Sequence, residues 1–137
     1  MSAFVLDCSV AAAWLFEDEA NDATDALLDT LNDTGAVVPN LWHLELSNVL
    51  LQAEKRGRIT AAQIAARIDL ISALPIDTDF ESHTRALRET LSLARDHSLT
   101  SYDAAYLELA MRRGLPLATQ DKALKKAAKN VDVAVLS

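Results

Sequence analysis

The sequence predicts an α/β domain built around a mainly parallel β-sheet. Short runs of apolar and β-branched residues alternate along the chain with longer segments of helical periodicity, a pattern typical of parallel strands joined by helices. The chain has 137 residues, of which 50% are hydrophobic, so it can bury one core and is too short for two ordinary domains. Its three Gly and three Pro leave no linker or low-complexity segment in the sequence.

The first forty residues predict two strands and two helices. Residues 3–6 form an apolar run that predicts a first strand, which ends at Asp7. A short Ala-rich helix is predicted over 9–16, and apolar residues at helical spacing predict a second helix near 20–33. Residues 36–38 lie between a glycine and a proline and predict the second strand.

The middle of the chain predicts three helices and one short strand. A strongly helical segment covers 41–56 and ends at a glycine. The sequence TAAQ at the start of 60–74 is a capping box, in which a Thr and a Gln side chain each satisfy a backbone N–H, and it predicts a helix. TDFE is a second such box, so Thr78 is predicted to open a helix over 78–97, directly after a short strand at 75–77.

The last third predicts helices over 101–113 and 121–129 and strands over 115–118 and 131–136. In an open parallel sheet, ligands bind beyond the carboxyl ends of the strands, where the strand order reverses. Residues that directly follow a predicted strand are therefore the main candidates for binding or catalytic roles.

Charge is distributed unevenly along the chain. Residues 1–50 hold nine acidic residues and no Lys or Arg, residues 51–137 hold eleven acidic residues and all thirteen basic ones, and the net charge is −7. Such a chain does not bind nucleic acid by bulk positive charge, because phosphate contacts rest on Lys and Arg. A polyanionic substrate would need divalent cations or local basic patches, and a basic protein partner would complement the acidic half. The basic segment 112–129 is interpreted as a solvated helix face.

The sequence predicts a cytoplasmic protein without a membrane segment. Cys8 is the one cysteine, which excludes an internal disulfide and fits a reducing compartment. Residues 1–6 carry no basic stretch, and no apolar run is long enough to cross a bilayer.

Four acidic residues stand in apolar surroundings. Asp7 and Asp121 follow predicted strands, and Asp103 opens an almost wholly apolar helix. Each of these three has a plain structural interpretation, because acids commonly cap helices or complement the helix dipole. Glu45 lies inside an apolar helix with no Arg or Lys within a helical turn, so it needs a metal ion, a distant base or a raised pKa.

Parallel strands would bring these acids to one crevice. Clustered carboxylates repel one another and are tolerated mainly where a divalent cation neutralises them. Oxygen ligands without His or Cys select Mg²⁺ or Mn²⁺ rather than zinc. The set therefore predicts metal-assisted phosphoryl transfer or hydrolysis.

Four segments, in order, resemble the PIN domain and, within it, the VapC type of toxin ribonuclease. They are FVLDCSV at 4–10, PNLWHLELSNVL at 39–50, SYDAAYLELA at 101–110 and LATQDKAL at 117–124. Each segment is moderately specific, and their order and spacing over nearly the whole chain make the combined resemblance strong.

The resemblance implies a single three-layer α/β/α domain over residues 1–137, with a central, mainly parallel, short-stranded sheet. The catalytic acids that it implies, which would hold Mg²⁺ or Mn²⁺, are Asp7, Glu45, Asp103 and Asp121. The polar supporting residues that it implies are Ser9, Asn48 and Thr119. The implied reaction is endonucleolytic hydrolysis of RNA by a metal-activated water. The implied partners are a cognate VapB-like antitoxin and a second copy of the chain, which could together form a toxin–antitoxin hetero-oligomer.

Two other classes of function stay open. A non-enzymatic interaction domain would use the acids as helix caps and to bind a partner protein. A phosphoryl-transfer domain such as a phosphatase also has an acidic pocket, but the haloacid-dehalogenase type needs a second Asp where Ser9 stands. Among the aromatic residues, Trp14, Trp42, Tyr102 and Tyr106 are predicted to lie in the core or at a dimer interface.

Overall fold

The computed structural model describes residues 2–136, in which five short strands form one sheet. In chain order the strands are β1 (Val5–Leu6), β2 (Ala36–Pro39), β3 (Ile76–Asp79), β4 (Leu117–Ala118) and β5 (Val135–Leu136). Their spatial order is β3-β2-β1-β4-β5, and each neighbouring pair is parallel. The predicted parallel sheet is confirmed.

Helices flank the sheet and complete a three-layer α/β/α fold. They are α1 (Cys8–Leu15), α2 (Asp22–Thr34), α3 (Leu41–Lys55), α4 (Ala61–Ser72), α5 (Ser82–Arg85), α6 (Leu91–His97), α7 (Ser101–Arg113) and α8 (Lys122–Asn130). A 3₁₀ turn precedes α2, and the π-helical segment Ala86–Thr90 joins α5 and α6 into one continuous helix. Among residues 2–136, none of the helices has both the length and the apolar character needed to cross a membrane.

The helix starts follow the local sequence in most places. The capping box at Thr60 is present, with both of its hydrogen bonds to Gln63. Thr100 caps α7 by accepting a hydrogen bond from the Asp103 N–H at 3.1 Å, and Gly114 ends that helix in the left-handed conformation, with φ 64°.

The predicted helix start at Thr78 is wrong. Thr78 and Asp79 belong to β3, where they pair with Val38 and Pro39 of β2, and the helix begins at Ser82. In β3 the backbone N–H and C=O groups of this segment form hydrogen bonds with β2. Strand pairing therefore takes the place of the helix start that the capping motif favours. The predicted last strand is also too long, because a turn with Asp132 at φ 61° occupies its first half.

Helix α7 lies at the centre of the hydrophobic core. It contacts β1, β2 and β4, and its residues 104–110 are all buried. This burial explains why the sequence there, apart from Glu108, is apolar around the helix rather than amphipathic. The core thus fixes both ends of α7 relative to the middle of the sheet.

A buried ion-pair network ties the last turn of α7 to β3. The Arg112 guanidinium donates to both carboxylate oxygens of Asp79, at 2.9 and 3.0 Å, and to Glu108 at 3.0 Å. Arg113 adds a further bond to Asp79 at 3.0 Å. These cations hold the pKa of Asp79 well below its usual range, although the Asp79 side chain is only 1% exposed. The network fastens the edge strand to the central helix.

Candidate active site

The predicted site residues lie at the point where the strand order reverses. Val5 of β1 pairs with Val37 of β2 on one side and with Leu117 of β4 on the other. The chain thus adds β2 and β3 on one side of β1 and later adds β4 and β5 on the opposite side. Such a reversal opens a crevice beyond the carboxyl ends of the two central strands. Asp7 is the first residue after β1, and its N–H donates to Ala118 of β4 at 3.0 Å.

Asp7 is buried and held by two hydroxyl groups. Its Oδ2 accepts hydrogen bonds from Ser9 Oγ at 2.8 Å and from Thr119 Oγ1 at 2.6 Å. Each hydroxyl in turn accepts from a backbone N–H, that of Gln120 for Ser9 and that of Asp121 for Thr119, both at 3.0 Å. The direction of these bonds commits both hydroxyl protons to Asp7 and fixes the orientation of its carboxylate. Asp7 precedes α1, but its side chain makes no capping hydrogen bond.

Asp121 stands directly beside this network. Its Oδ2 accepts from the Leu124 N–H at 2.8 Å, so it caps α8 itself. The neighbouring Thr119 hydroxyl donates to Asp7 and does not cap that helix. Asp121 therefore caps α8 and also lies in the crevice.

Glu45 reaches the same region from α3. Its side chain is half-buried, and its Oε1 accepts a hydrogen bond from the hydroxyl of Tyr106 at 2.5 Å. Tyr106 belongs to α7, so this bond joins two helices that are far apart in the sequence. The expected partial burial of Glu45 is confirmed.

Asp103 lies in the first turn of α7 and is also partly buried. Asp7, Glu45, Asp103 and Asp121 are called the acidic cluster below. The negative charges of the acidic cluster act on one another directly. Asp7 and Asp103 raise the pKa of Glu45, Asp7 and Asp121 raise that of Asp103, and Asp121 raises that of Asp7.

Burial is the main cause of the raised pKa values in the acidic cluster. It raises the pKa of Asp7, of Glu45 and of Asp103 above the ordinary value of each carboxyl. Hydrogen bonds oppose it, from Thr119 and Ser9 to Asp7 and from Tyr106 to Glu45. The pocket thus disfavours the charged form of its own carboxylates, which is the arrangement expected where a cation belongs.

In the described part of the chain, no basic side chain neutralises the acidic cluster. Within residues 2–136, none of the ion pairs includes one of its four acids. Buried carboxylates without a cationic partner are costly, and their oxygen donors suit Mg²⁺ or Mn²⁺. The described residues contain no set of three His, Cys, Asp or Glu side chains arranged to hold one ion.

Cys8 lies beside the acidic cluster but is a poor nucleophile. Burial, together with the charges of Glu45 and Asp7, raises the pKa of its thiol to about 12. The thiolate that nucleophilic catalysis requires is therefore scarce at neutral pH. The arrangement favours chemistry by carboxylates and a cation over covalent catalysis by sulfur.

The three predicted supporting residues do not all lie in the same place. Ser9 and Thr119 both contact Asp7. Asn48 is exposed one turn after Glu45 on α3, where it accepts a long hydrogen bond from Gln52 at 3.5 Å. A supporting role for Asn48 stays a prediction.

Tyr106 is the site contact that sequence reasoning missed. The spacing of three residues between Asp103 and Tyr106 places both on one side of α7, which was a usable signal. An aromatic residue in an apolar helix is more simply interpreted as core, and the ring of Tyr106 is indeed fully buried. Tyr102, in contrast, is 66% exposed and does not lie in the core.

Known proteins resemble this chain over most of its length. The PIN domain model matches residues 4–130. The chain is 29% identical over 123 residues to Ribonuclease VapC1 of Mycobacterium tuberculosis, a match that covers 88% of this chain and 90% of that protein.

Two solved structures share the fold. PAE2754 from Pyrobaculum aerophilum superposes with a TM-score of 0.71 at 23% identity, covering 98% of this chain and 91% of that one. A chain of a toxin–antitoxin complex from Klebsiella pneumoniae superposes with a TM-score of 0.64 at 14% identity, covering 98% and 97%.

Proposed function

The chain belongs to the PIN domain family, and from this premise we propose that it is a Mg²⁺- or Mn²⁺-dependent endoribonuclease, the toxin of a toxin–antitoxin pair. The observation that carries the proposal is the acidic cluster, which is partly buried, without a basic partner, and located where the strand order reverses. The ribonuclease name of its relative VapC1 supports RNA as the substrate. We further propose that residues 1–137 form a single PIN-like domain.

Asp7 and Asp103 are the proposed principal ligands of the cation, directly or through water, and Glu45 and Asp121 complete the set or orient the attacking water. The bound cation would lower the pKa of a water and offset negative charge on the phosphate. Ser9 and Thr119 hold the Asp7 carboxylate in one orientation, so it need not reorganise when RNA binds. Attack of water on phosphorus breaks one P–O bond of the RNA backbone, and the leaving oxygen takes up a proton.

The proposal is tested by cleavage of RNA with protein freed of any antitoxin. A mixed RNA pool and a circular RNA are each incubated with Mg²⁺, with Mn²⁺, with chelator, and with chelator followed by excess Mn²⁺. We expect cleavage only where a free cation is present, and its return after Mn²⁺ is restored. The circular RNA must also be cut, because an endonuclease needs no chain end.

Two results would contradict this proposal. Full cleavage in chelator would show that the reaction does not require a divalent cation. No cleavage of any RNA with either cation, by protein whose circular dichroism shows it folded, would favour an interaction domain without activity.

We propose that an antitoxin covers the groove between α3 and α4. The groove has a volume of about 410 Å³ and is lined mainly by apolar side chains, among them Trp42, Leu50, Leu51 and Ile68. No residue of α4 is fully buried: Ile64 and Ile71 pack partly against the core, and Ile68 stays 48% exposed beside the groove. An amphipathic helix with basic residues would fill such a groove and complement the acidic first half of the chain. The name of the Klebsiella complex supports a partner of this kind.

Ile68→Glu is expected to weaken binding of this partner by at least about tenfold, because it puts a charge into an apolar contact. The probe is a VapB-like antitoxin that neutralises the chain when the two are produced together. Leu70→Glu is the matched control, since Leu70 lies on the same helix, is 66% exposed against 48% for Ile68, and does not line the groove. Equal affinities of the two variants, measured by calorimetry, would place the antitoxin elsewhere.

We also propose a homodimer, which follows from the family resemblance, and a cytoplasmic location, which the single cysteine fits. Leu44 and Leu87 expose 76% and 86% of their surface, and large exposed apolar side chains are candidates for burial by a second copy. Light scattering of the purified chain measures its mass directly. A monomer at micromolar concentration would contradict the dimer.

A further inference from the structure

We propose that Tyr106 is a positioning residue, whose hydroxyl holds one oxygen of Glu45 and so presents the other oxygen to the divalent cation. This inference rests on the proposed function, because it assumes that the acidic cluster binds a cation. The observation behind it is the hydrogen bond of 2.5 Å from the Tyr106 hydroxyl to Glu45 Oε1.

The ring of Tyr106 is a rigid anchor. It is fully buried, and it lies in the run of buried residues by which α7 contacts the central strands. The packing of the core therefore fixes the position of its hydroxyl. Glu45 is half-buried and has several rotatable bonds, so without a fixed partner its carboxylate would sample many positions.

Helix α7 supplies two groups to the same pocket. Asp103 and Tyr106 lie three residues apart and face one side of the helix, one as an acid and the other as a donor. Because a neutral phenol donates only one hydrogen, it engages a single oxygen of Glu45. Carboxylates that bind metals are commonly hydrogen-bonded in this way, and loss of such a partner typically costs about 10- to 100-fold in affinity or activity.

A purely structural role gives a different expectation. A buried Tyr hydroxyl needs an acceptor, so removing it could lower stability without changing cation binding. The two roles are separated by measuring the dissociation constant for Mn²⁺ and the melting temperature on the same full-length, metal-free variants.

Tyr106→Phe keeps the ring and removes only the hydroxyl. We expect it to raise the dissociation constant for Mn²⁺, measured by isothermal titration calorimetry, by about tenfold or more. Tyr102→Phe is the matched control, because it removes a hydroxyl from an exposed tyrosine one turn earlier on the same helix, and its affinity should equal that of the wild type.

Glu45→Gln completes a double-mutant cycle. In that background Tyr106→Phe should change the Mn²⁺ dissociation constant by less than about threefold, since the residue through which the hydroxyl acts has already lost its charge. An equally large effect in both backgrounds would overturn the inference and assign Tyr106 to packing alone.

The remaining outcomes are distinct. If the wild type binds Mn²⁺ and Tyr106→Phe binds it equally well, the positioning role is overturned while the proposed function stands. If the folded wild type binds no Mn²⁺, the proposed function itself fails and the inference fails with it.

Discussion

Asp7→Asn is expected to reduce metal-dependent RNA cleavage by at least about 100-fold. Asparagine has nearly the shape of aspartate and can still accept the hydrogen bonds from Ser9 and Thr119, so the change removes the charge and leaves the packing. The loss of cleavage therefore measures how much the negative charge of Asp7 contributes to holding the cation and the reacting phosphate. Initial rates on a fluorescent RNA at saturating Mn²⁺ measure it.

The same variant should not be less stable in chelator. Burial raises the pKa of Asp7, so the folded state disfavours the ionised carboxylate, and stability is lost as the pH rises through that raised value. At pH 7.5 without metal, Asp7→Asn should therefore melt at the same or a higher temperature than the wild type. Asp33→Asn, an exposed acid on α2, is the control and should keep full activity. Cleavage that persists in Asp7→Asn would contradict the site assignment.

Arg112→Met is expected to have the largest effect on stability, lowering the free energy of unfolding by about 3 kcal/mol. The substitution removes the bidentate partner of Asp79 and the partner of Glu108, two carboxylates that are only 1% and 5% exposed. Arg113 still contacts Asp79, so the loss stays below that of a fully unpaired charge. Urea denaturation followed by circular dichroism measures the difference.

Arg58→Met is the matched control for this substitution. Arg58 pairs with Asp18 and Glu19 at the surface, with side chains 37%, 73% and 43% exposed, and solvent screening leaves such pairs only a small contribution to stability. The pKa of Asp79 is lowered in the fold, so its stabilisation is complete above the ordinary Asp range and is lost only as the pH falls below it. The difference between wild type and Arg112→Met should thus be unchanged between pH 7 and pH 5. Similar losses for the two arginines would contradict a special role for the buried network.

Much of this fold could be predicted from the sequence because local and tertiary preferences agree. The apolar runs before Asp7 and before Thr119 become the two central strands, and α7 begins and ends where Thr100 and Gly114 predict. Parallel pairing then brings the residues that follow those strands together, which is why acids more than a hundred positions apart could be assigned to one crevice.

The remaining features depend on contacts that the local sequence does not encode. Thr78 has the form of a helix cap, but pairing with β2 places it in a strand. The π-helical segment Ala86–Thr90 has no sequence signal that we recognise, and the hydrogen bond between Tyr106 and Glu45 joins two separate helices. Apolar spacing predicts that Tyr106 is buried, and only the three-dimensional arrangement gives the partner of its hydroxyl.

The most direct test of the acidic cluster as a cation site is anomalous diffraction from crystals of the full chain grown with Mn²⁺. We expect an anomalous peak in the crevice beyond β1 and β4, next to Asp7 and Asp103, and no such peak in crystals of Asp7→Asn. A wild-type crevice without a peak, in protein from the same preparation that cleaves RNA with Mn²⁺, would contradict it.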